Sequence, residues 1–286
     1  MRRTLMPLLL LACAVPALAQ ETVHDVIYAK QGGYALTMDV FKPAKPNGEG
    51  VIWIISGGWF SSHDQINAEL AKPLTDKGIT VFEVVHGSQP KFTIPEIIPM
   101  IKRSIRFIHA NSATFGVDPN RLGLAGASAG GHLTLMVAGT EDNGDPNAKD
   151  PVDRQPDTIK AAVAYFPPTD FLNWGAPNKI PYDDPNLKIF MPAFGVTDTT
   201  PMETRLKIAH EVSPIEHIGS PYPATLLIHG DKDQLVPIQQ SQEMDAALTK
   251  AGVTHDFMIV HGSGHDQVTM LAGLTRAVNW FVDHLQ

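Results

Sequence analysis

Leu122-Gly123-Leu124-Ala125-Gly126-Ala127-Ser128-Ala129-Gly130-Gly131-His132-Leu133 is the stretch on which the reading of this chain turns. A short apolar run, 122–125, leads into Gly-x-Ser-x-Gly, and a segment of helical character, 132–138, follows at once. A strand that meets a helix across so tight a turn lifts the residue between the glycines off the strand end, which makes Ser128 a candidate nucleophile. The plainer reading of the pentapeptide is a strand-to-helix turn with a capping serine. Two other glycine-rich readings fail: the spacing is not the Gly-x-Gly-x-x-Gly of a dinucleotide loop, and a phosphate loop would need its lysine.

Outward from that turn, short apolar runs at 51–55, 79–85, 159–166, 224–228 and 257–260 alternate with longer segments of helical period. Ile97, Ile101, Ile105 and Ile108 recur at helical spacing, as do Leu271, Leu274, Val278, Phe281 and Leu285. The pattern predicts an α/β fold with a mostly parallel central sheet and helices on both faces. Runs at 23–29 and 34–41 flank Gly32-Gly33 and predict an antiparallel hairpin at one sheet edge. One segment breaks the alternation: residues 167–223 hold 10 of the 23 prolines, with Phe171, Trp174, Tyr182, Phe190 and Phe194 scattered among them. That composition predicts a cap-like insert of short irregular pieces over the sheet, and a long surface connection with aromatics turned into the core is the alternative.

Composition narrows the partners. In 286 residues, 43% are hydrophobic and 18% charged, and a net charge of −8 disfavours nucleic acid and anionic lipid surfaces, which need a basic footprint. Residues 1–19 read as a signal peptide, with Arg2 and Arg3, an apolar stretch, and Ala17-Leu18-Ala19 as a cleavage site. The expectation is an exported protein, periplasmic or secreted, whose folded domain is 20–286. Leu11-Ala12-Cys13 resembles a short lipobox, but the apolar stretch runs on to the better site, which disfavours a lipid anchor at Cys13. After that leader, no apolar run approaches the length of a membrane span.

A serine hydroxyl needs a base to remove its proton and an acid to hold that base. The run 224–228 leads into a polar loop with Asp231 and Asp233, and the run 257–260 leads into His261-Gly262-Ser263-Gly264-His265. Asp233 is preferred because it lies deeper in its loop, just before Val236-Pro237, leaving Asp231 to shape the turn. His265 is preferred to His261 because two glycines can carry it back toward Ser128. Those glycines also disfavour a helical His-His metal pair, so no metal and no cofactor are expected. Ser56-Gly57-Gly58-Trp59-Phe60 ends the run 51–55, and Gly57 or Gly58 is expected to supply a backbone N–H for an oxyanion alongside that of Ala129. Trp59, Phe60, His132, Trp174, Phe190 and Phe194 are the expected walls of a substrate cleft, with packing under helices as the alternative.

With these motifs in place, the chain resembles α/β-hydrolase serine esterases, most closely the bacterial group of bifunctional feruloyl and acetyl-xylan esterases, relatives of the hormone-sensitive-lipase-like esterases. The resemblance rests on Ser56-Gly57-Gly58-Trp59, residues 126–133, Ser213-Pro214-Ile215, residues 229–237 and Gly264-His265. It implies an α/β-hydrolase fold, Ser128 as nucleophile, Asp233 as acid and His265 as base, acting on short-chain acyl or carbohydrate (acetyl or feruloyl) esters without a cofactor. The family's oxyanion loop reads His-Gly-Gly-Gly-Trp, and here Ile55 and Ser56 stand in place of its first pair. A serine peptidase for short peptides and a non-catalytic binder of acyl or sugar ligands are the alternatives, and the complete set of Ser, Asp and His argues against the second.

Overall fold

The computed structural model describes residues 20–219 and 221–286; the leader segment and Cys13 lie outside the described residues. Among the described residues the strands are β1 (Glu21–Gln31), β2 (Tyr34–Lys42), β3 (Gly48–Ile55), β4 (Thr80–Val85), β5 (Val117–Ala127), β6 (Ala161–Tyr165), β7 (Ala224–Gly230) and β8 (His255–Val260). They form one sheet in the order β1-β2-β4-β3-β5-β6-β7-β8. The hairpin β1–β2 sits at one edge, β2 meets β4 antiparallel, and every later pairing is parallel. Gly32 and Gly33 both have positive φ, +56° and +83°, the torsions that a two-residue hairpin turn matched to strand twist requires.

The helices are α1 (Ala68–Thr75), α2 (Ile94–Ala110), α3 (Ser112–Phe115), α4 (Ala129–Gly139), α5 (Met202–Glu211), α6 (Gln239–Ala251) and α7 (Gln267–His284). Strand alternation sends β3 into two cores. Ile52 and Ile54 pack with Ile97, Ile101, Ile105 and Ile108 of α2 and Leu133 and Val137 of α4. Val51, Trp53 and Ile55 pack on the opposite face with Ala71 and Leu74 of α1 and Val278 and Phe281 of α7. The sheet is therefore covered on both sides, and only its strand ends are free to carry chemistry.

The segment 167–223 contains α5 and three short 3-10 turns, Pro181–Asp183, Lys188–Phe194 and Pro214–His217. Its aromatics turn inward: Phe171, Trp174, Tyr182 and Phe194 are buried in the same core cluster as Trp59. Arg205 holds the connection before α5, its guanidinium donating to the carbonyls of Thr197, Asp198 and Thr200. The aromatics of this segment are thus packed into the core, and several of them also wall a cavity.

Candidate active site

Ser128 stands between the end of β5 and the start of α4 with φ +54° and ψ −119°, a strained conformation for a residue with a side chain. Its N–H donates to the Tyr165 carbonyl at 2.9 Å, and its own carbonyl accepts from the His132 N–H at 2.9 Å. The unusual torsion falls on the serine itself; the flanking glycines supply room. A Cβ on Gly126 would lie 2.4 Å from the Gly130 carbonyl carbon, and one on Gly130 would lie 2.9 Å from the Ile54 oxygen. The first turn of α4 can therefore press against the ends of β5 and β3, which leaves the hydroxyl standing above the sheet.

The loops after β7 and β8 bring the other two expected groups to it. His265 Nε2 lies 2.8 Å from Ser128 Oγ, and His265 Nδ1 lies 2.7 Å from Asp233 Oδ2. The Asp233 side chain is fully buried, and its Oδ1 accepts from the N–H groups of Leu235 and Val236, both at 2.9 Å. A second histidine faces the same carboxylate: His229 Nε2 is 3.3 Å from Asp233 Oδ2 and bonds the Val236 carbonyl at 3.0 Å. Burial acts to raise the Asp233 carboxyl, but the bonds from His229 and His265, the charge of His265 and the Val236 N–H outweigh it and hold the group well below the usual carboxylate range. Phe166 lies against the His265 ring, 4.3 Å between centroids, and limits its swing.

Asp231 and His261, the alternatives for acid and base, pair with each other instead. Asp231 Oδ2 is 3.0 Å from His261 Nδ1, Asp231 Oδ1 accepts from the Gly262 N–H at 2.7 Å, and the His261 side chain is 82% exposed. Their contact ties the two loops together away from Ser128.

The glycine-rich end of β3 folds into a two-residue turn. Gly57 and Phe60 exchange N–H···O bonds of 2.9 Å in both directions, with Gly58 at φ +56° and Trp59 at φ +60° between them. The Gly57 N–H is thereby engaged, which removes Gly57 from the expected donors. Among the described residues the N–H groups of Gly58, Trp59 and Ala129 have no acceptor. All three residues line one cavity with Ser128. The Trp59 N–H went unread because nothing in the sequence marks a tryptophan as the second left-handed residue of such a turn.

Of the expected walls, Trp59, Trp174, Phe190 and Phe194 line that cavity, joined by Phe171, Tyr182, Leu187, Leu235 and Val236. Phe60 does not: the tight turn reverses the chain at that point and leaves its side chain half exposed, so Phe60 serves through its backbone. His132 does not either. It is fully buried beneath Trp59, where its Nδ1 accepts from Trp59 Nε1 at 3.1 Å while its Nε2 donates to the Val212 carbonyl at 2.7 Å. Each partner permits only one role, which fixes a neutral tautomer.

Burial pushes the His132 imidazole down to about 4, against the opposing effect of the Val212 carbonyl. Its folded value lies below the ordinary histidine value of about 6.5, so the unfolded chain binds the extra proton first. Its contribution to stability is present above about pH 6.5 and is lost as pH falls toward 4. His132→Gln keeps one acceptor and one donor but cannot be protonated. The Tm difference between pH 7 and pH 4.5 should be smaller in this variant than in the wild type, and an unchanged difference would refute the assignment.

Among the described residues, Asp25, Asp39 and His63 place one potential metal ligand each within 4.8 Å of one another. Both Asp39 oxygens are already engaged there, by the His24 ring at 2.6 Å and the Asp25 N–H at 3.0 Å, and none of the three residues lines the Ser128 cavity. Among the described residues no helix is long and apolar enough to cross a membrane.

The fold recurs in solved structures. A truncated carbohydrate esterase from gut microbiota superposes with a TM-score of 0.76 at 23% identity, covering 94% of this chain and 98% of that one. An acetyl ester-xyloside bifunctional hydrolase from Caldicellulosiruptor lactoaceticus gives 0.73 at 20% identity, covering 94% and 95%. These likenesses establish the α/β-hydrolase fold. By sequence, the esterase LipQ of Mycobacterium tuberculosis is 29% identical over 203 residues, 71% of this chain and 46% of LipQ. The chain spans about half the length of the curated relatives it matches. The BD-FAE family model matches residues 38–248, a span that takes in the turn at Gly58, the elbow at Ser128 and the loop of Asp233, and the chain belongs to the BD-FAE family.

Proposed function

We propose that the protein is a serine carboxylic ester hydrolase that works through an acyl-enzyme. The observation that carries this reading is the unbroken line from Asp233 through His265 to Ser128, ending at a cavity beside which, among the described residues, the N–H groups of Gly58, Trp59 and Ala129 have no acceptor. As Ser128 Oγ attacks the ester carbonyl carbon, His265 Nε2 takes its proton and the carbonyl π pair moves onto oxygen. The N–H groups of Ala129, Gly58 and Trp59 receive that oxyanion. Collapse breaks the bond to the alcohol, which leaves with the proton from His265. Water, deprotonated in turn by His265, releases the acid and restores Ser128. Throughout, Asp233 holds the ring and offsets the charge of the imidazolium.

Cavity size selects the acyl group. The space beside Ser128 is partly open to solvent, and its inner part measures about 30 Å³, room for two or three water molecules. We place the acyl group there and the alcohol toward solvent, a reading in which the aromatic walls favour acetyl and propionyl over feruloyl. Acetylated carbohydrates are the natural class we propose, a reading supported by the names of the two solved neighbours, a carbohydrate esterase and an acetyl ester-xyloside bifunctional hydrolase. On acetyl, butyryl, decanoyl and feruloyl esters of one alcohol, kcat/KM should be highest for acetyl, at least tenfold lower for decanoyl, and near background for feruloyl. A maximum at decanoyl, or feruloyl turnover comparable to acetyl, would show that the aromatic wall opens and that this substrate reading is wrong.

A further inference from the structure

The turn that supplies the oxyanion donors is gripped by one residue outside it. Gln89, in the loop after β4, donates from its side-chain Nε2 to the Gly58 carbonyl at 2.6 Å and from its backbone N–H to the Trp59 carbonyl at 3.1 Å. Only the amide nitrogen can donate to a carbonyl, so the partner decides which way the Gln89 amide faces. The Gly58 carbonyl and the Trp59 N–H belong to one planar peptide unit in which the two groups point in opposite directions. Holding the carbonyl on the Gln89 side therefore turns the Trp59 N–H to the other side. The neighbouring unit is held from within the turn: the Phe60 N–H holds the Gly57 carbonyl at 2.9 Å, which fixes the Gly58 N–H in the same way.

We propose that Gln89 is a positioning residue for the oxyanion site, setting the direction of the Trp59 N–H through the Gly58 carbonyl. The proposal rests on the esterase reading above. Two things make such a clamp necessary. Trp59 occupies a left-handed conformation that a bulky residue keeps only when its surroundings hold it there. Catalysis by a backbone donor also requires the donor to be aimed before charge develops, since reorienting it during reaction forfeits most of the benefit. A bond accepted by the carbonyl also polarises the peptide and makes its N–H a better donor. The surrounding contacts keep the two loops in register: the Ser61 N–H donates to Ser88 Oγ at 2.8 Å, Ser88 Oγ donates to the Ser61 carbonyl at 2.8 Å, and the His86 N–H donates to Ser61 Oγ at 3.1 Å. They remain when the Gln89 side chain is changed, so the amide can be tested without dismantling the turn.

Gln89→Met keeps the length of the side chain and removes its N–H donors; Gln89→Ala is the second variant should the first not fold. With p-nitrophenyl acetate, kcat should fall on the order of thirtyfold, somewhat less than the loss of an oxyanion donor itself, while KM stays within twofold. Ethylboronic acid, which adds to Ser128 as a tetrahedral anion, should bind more weakly by a similar factor, and acetate inhibition should not change. A kcat within twofold of wild type, a loss carried by KM alone, or unchanged boronate affinity would overturn the proposal. Ser128→Ala is measured in parallel. If it is inactive while Gln89→Met is fully active, the role of Gln89 fails and the esterase reading stands; if Ser128→Ala retains activity, both fail.

Discussion

Ser128→Ala should lower turnover of a short-chain ester by on the order of a millionfold, leaving the residual rate that binding and the oxyanion donors supply on their own. The size of the effect follows from the hydroxyl being the atom that forms the new bond. Folding should be nearly unaffected, because among the described residues the side-chain bond lost is the one to His265, and the backbone bond from residue 128 to the Tyr165 carbonyl is untouched. Labelling by a fluorophosphonate should disappear in the same variant. Activity within tenfold of wild type, with a Tm unchanged, would remove Ser128 from the chemistry.

Asp233→Asn should cost on the order of ten-thousandfold in kcat, and the surroundings of the carboxylate say why. Oδ1 accepts two backbone N–H groups, from Leu235 and Val236, so in the variant the amide oxygen must take that place. The NH₂ is then turned toward His265 Nδ1, which has to accept, and the ring proton moves to Nε2. An Nε2 that already carries hydrogen cannot take the proton of Ser128. Asp231→Asn keeps an oxygen for the Gly262 N–H and should stay within about tenfold of wild type. Steady-state kinetics on the two variants decide between the aspartates, and the reverse order of effects would move the acid by two residues.

The parallel strands were legible because each is a compact apolar run that stops at a polar or glycine-rich loop, and a sheet covered on both faces leaves little else for such runs to be. Ser128, Asp233 and His265 were legible for the same reason, since each lies just past a strand end. The oxyanion turn was only half legible. Two adjacent glycines announce a turn, but which N–H it engages internally depends on the bond between Gly57 and Phe60, a register that no side chain reports. The distinction between Trp59 and Phe60 was illegible for a related reason: neighbours of one chemical type are sent to opposite surroundings by a single reversal. In the proline-rich insert, Phe171 and Tyr182 were seen as aromatics but not as walls, because without a helical or strand period nothing assigns them a side. His132 looked like a cleft residue from its place one turn beyond Ser128, and only the packing of Trp59 over it puts it beneath the floor.

The hydrogen bond between Ser128 and His265 joins residues 137 positions apart in the chain, and the strand that precedes His265, β8, is the outermost of the parallel set and the last to be synthesised. A nascent chain that has emerged through the loop after β7 holds Ser128 and Asp233 but not His265. Contacts of such long range form late, after the entropy of closing the intervening loops has been overcome. On the mechanism proposed above, hydrolysis therefore waits on the docking of this edge strand.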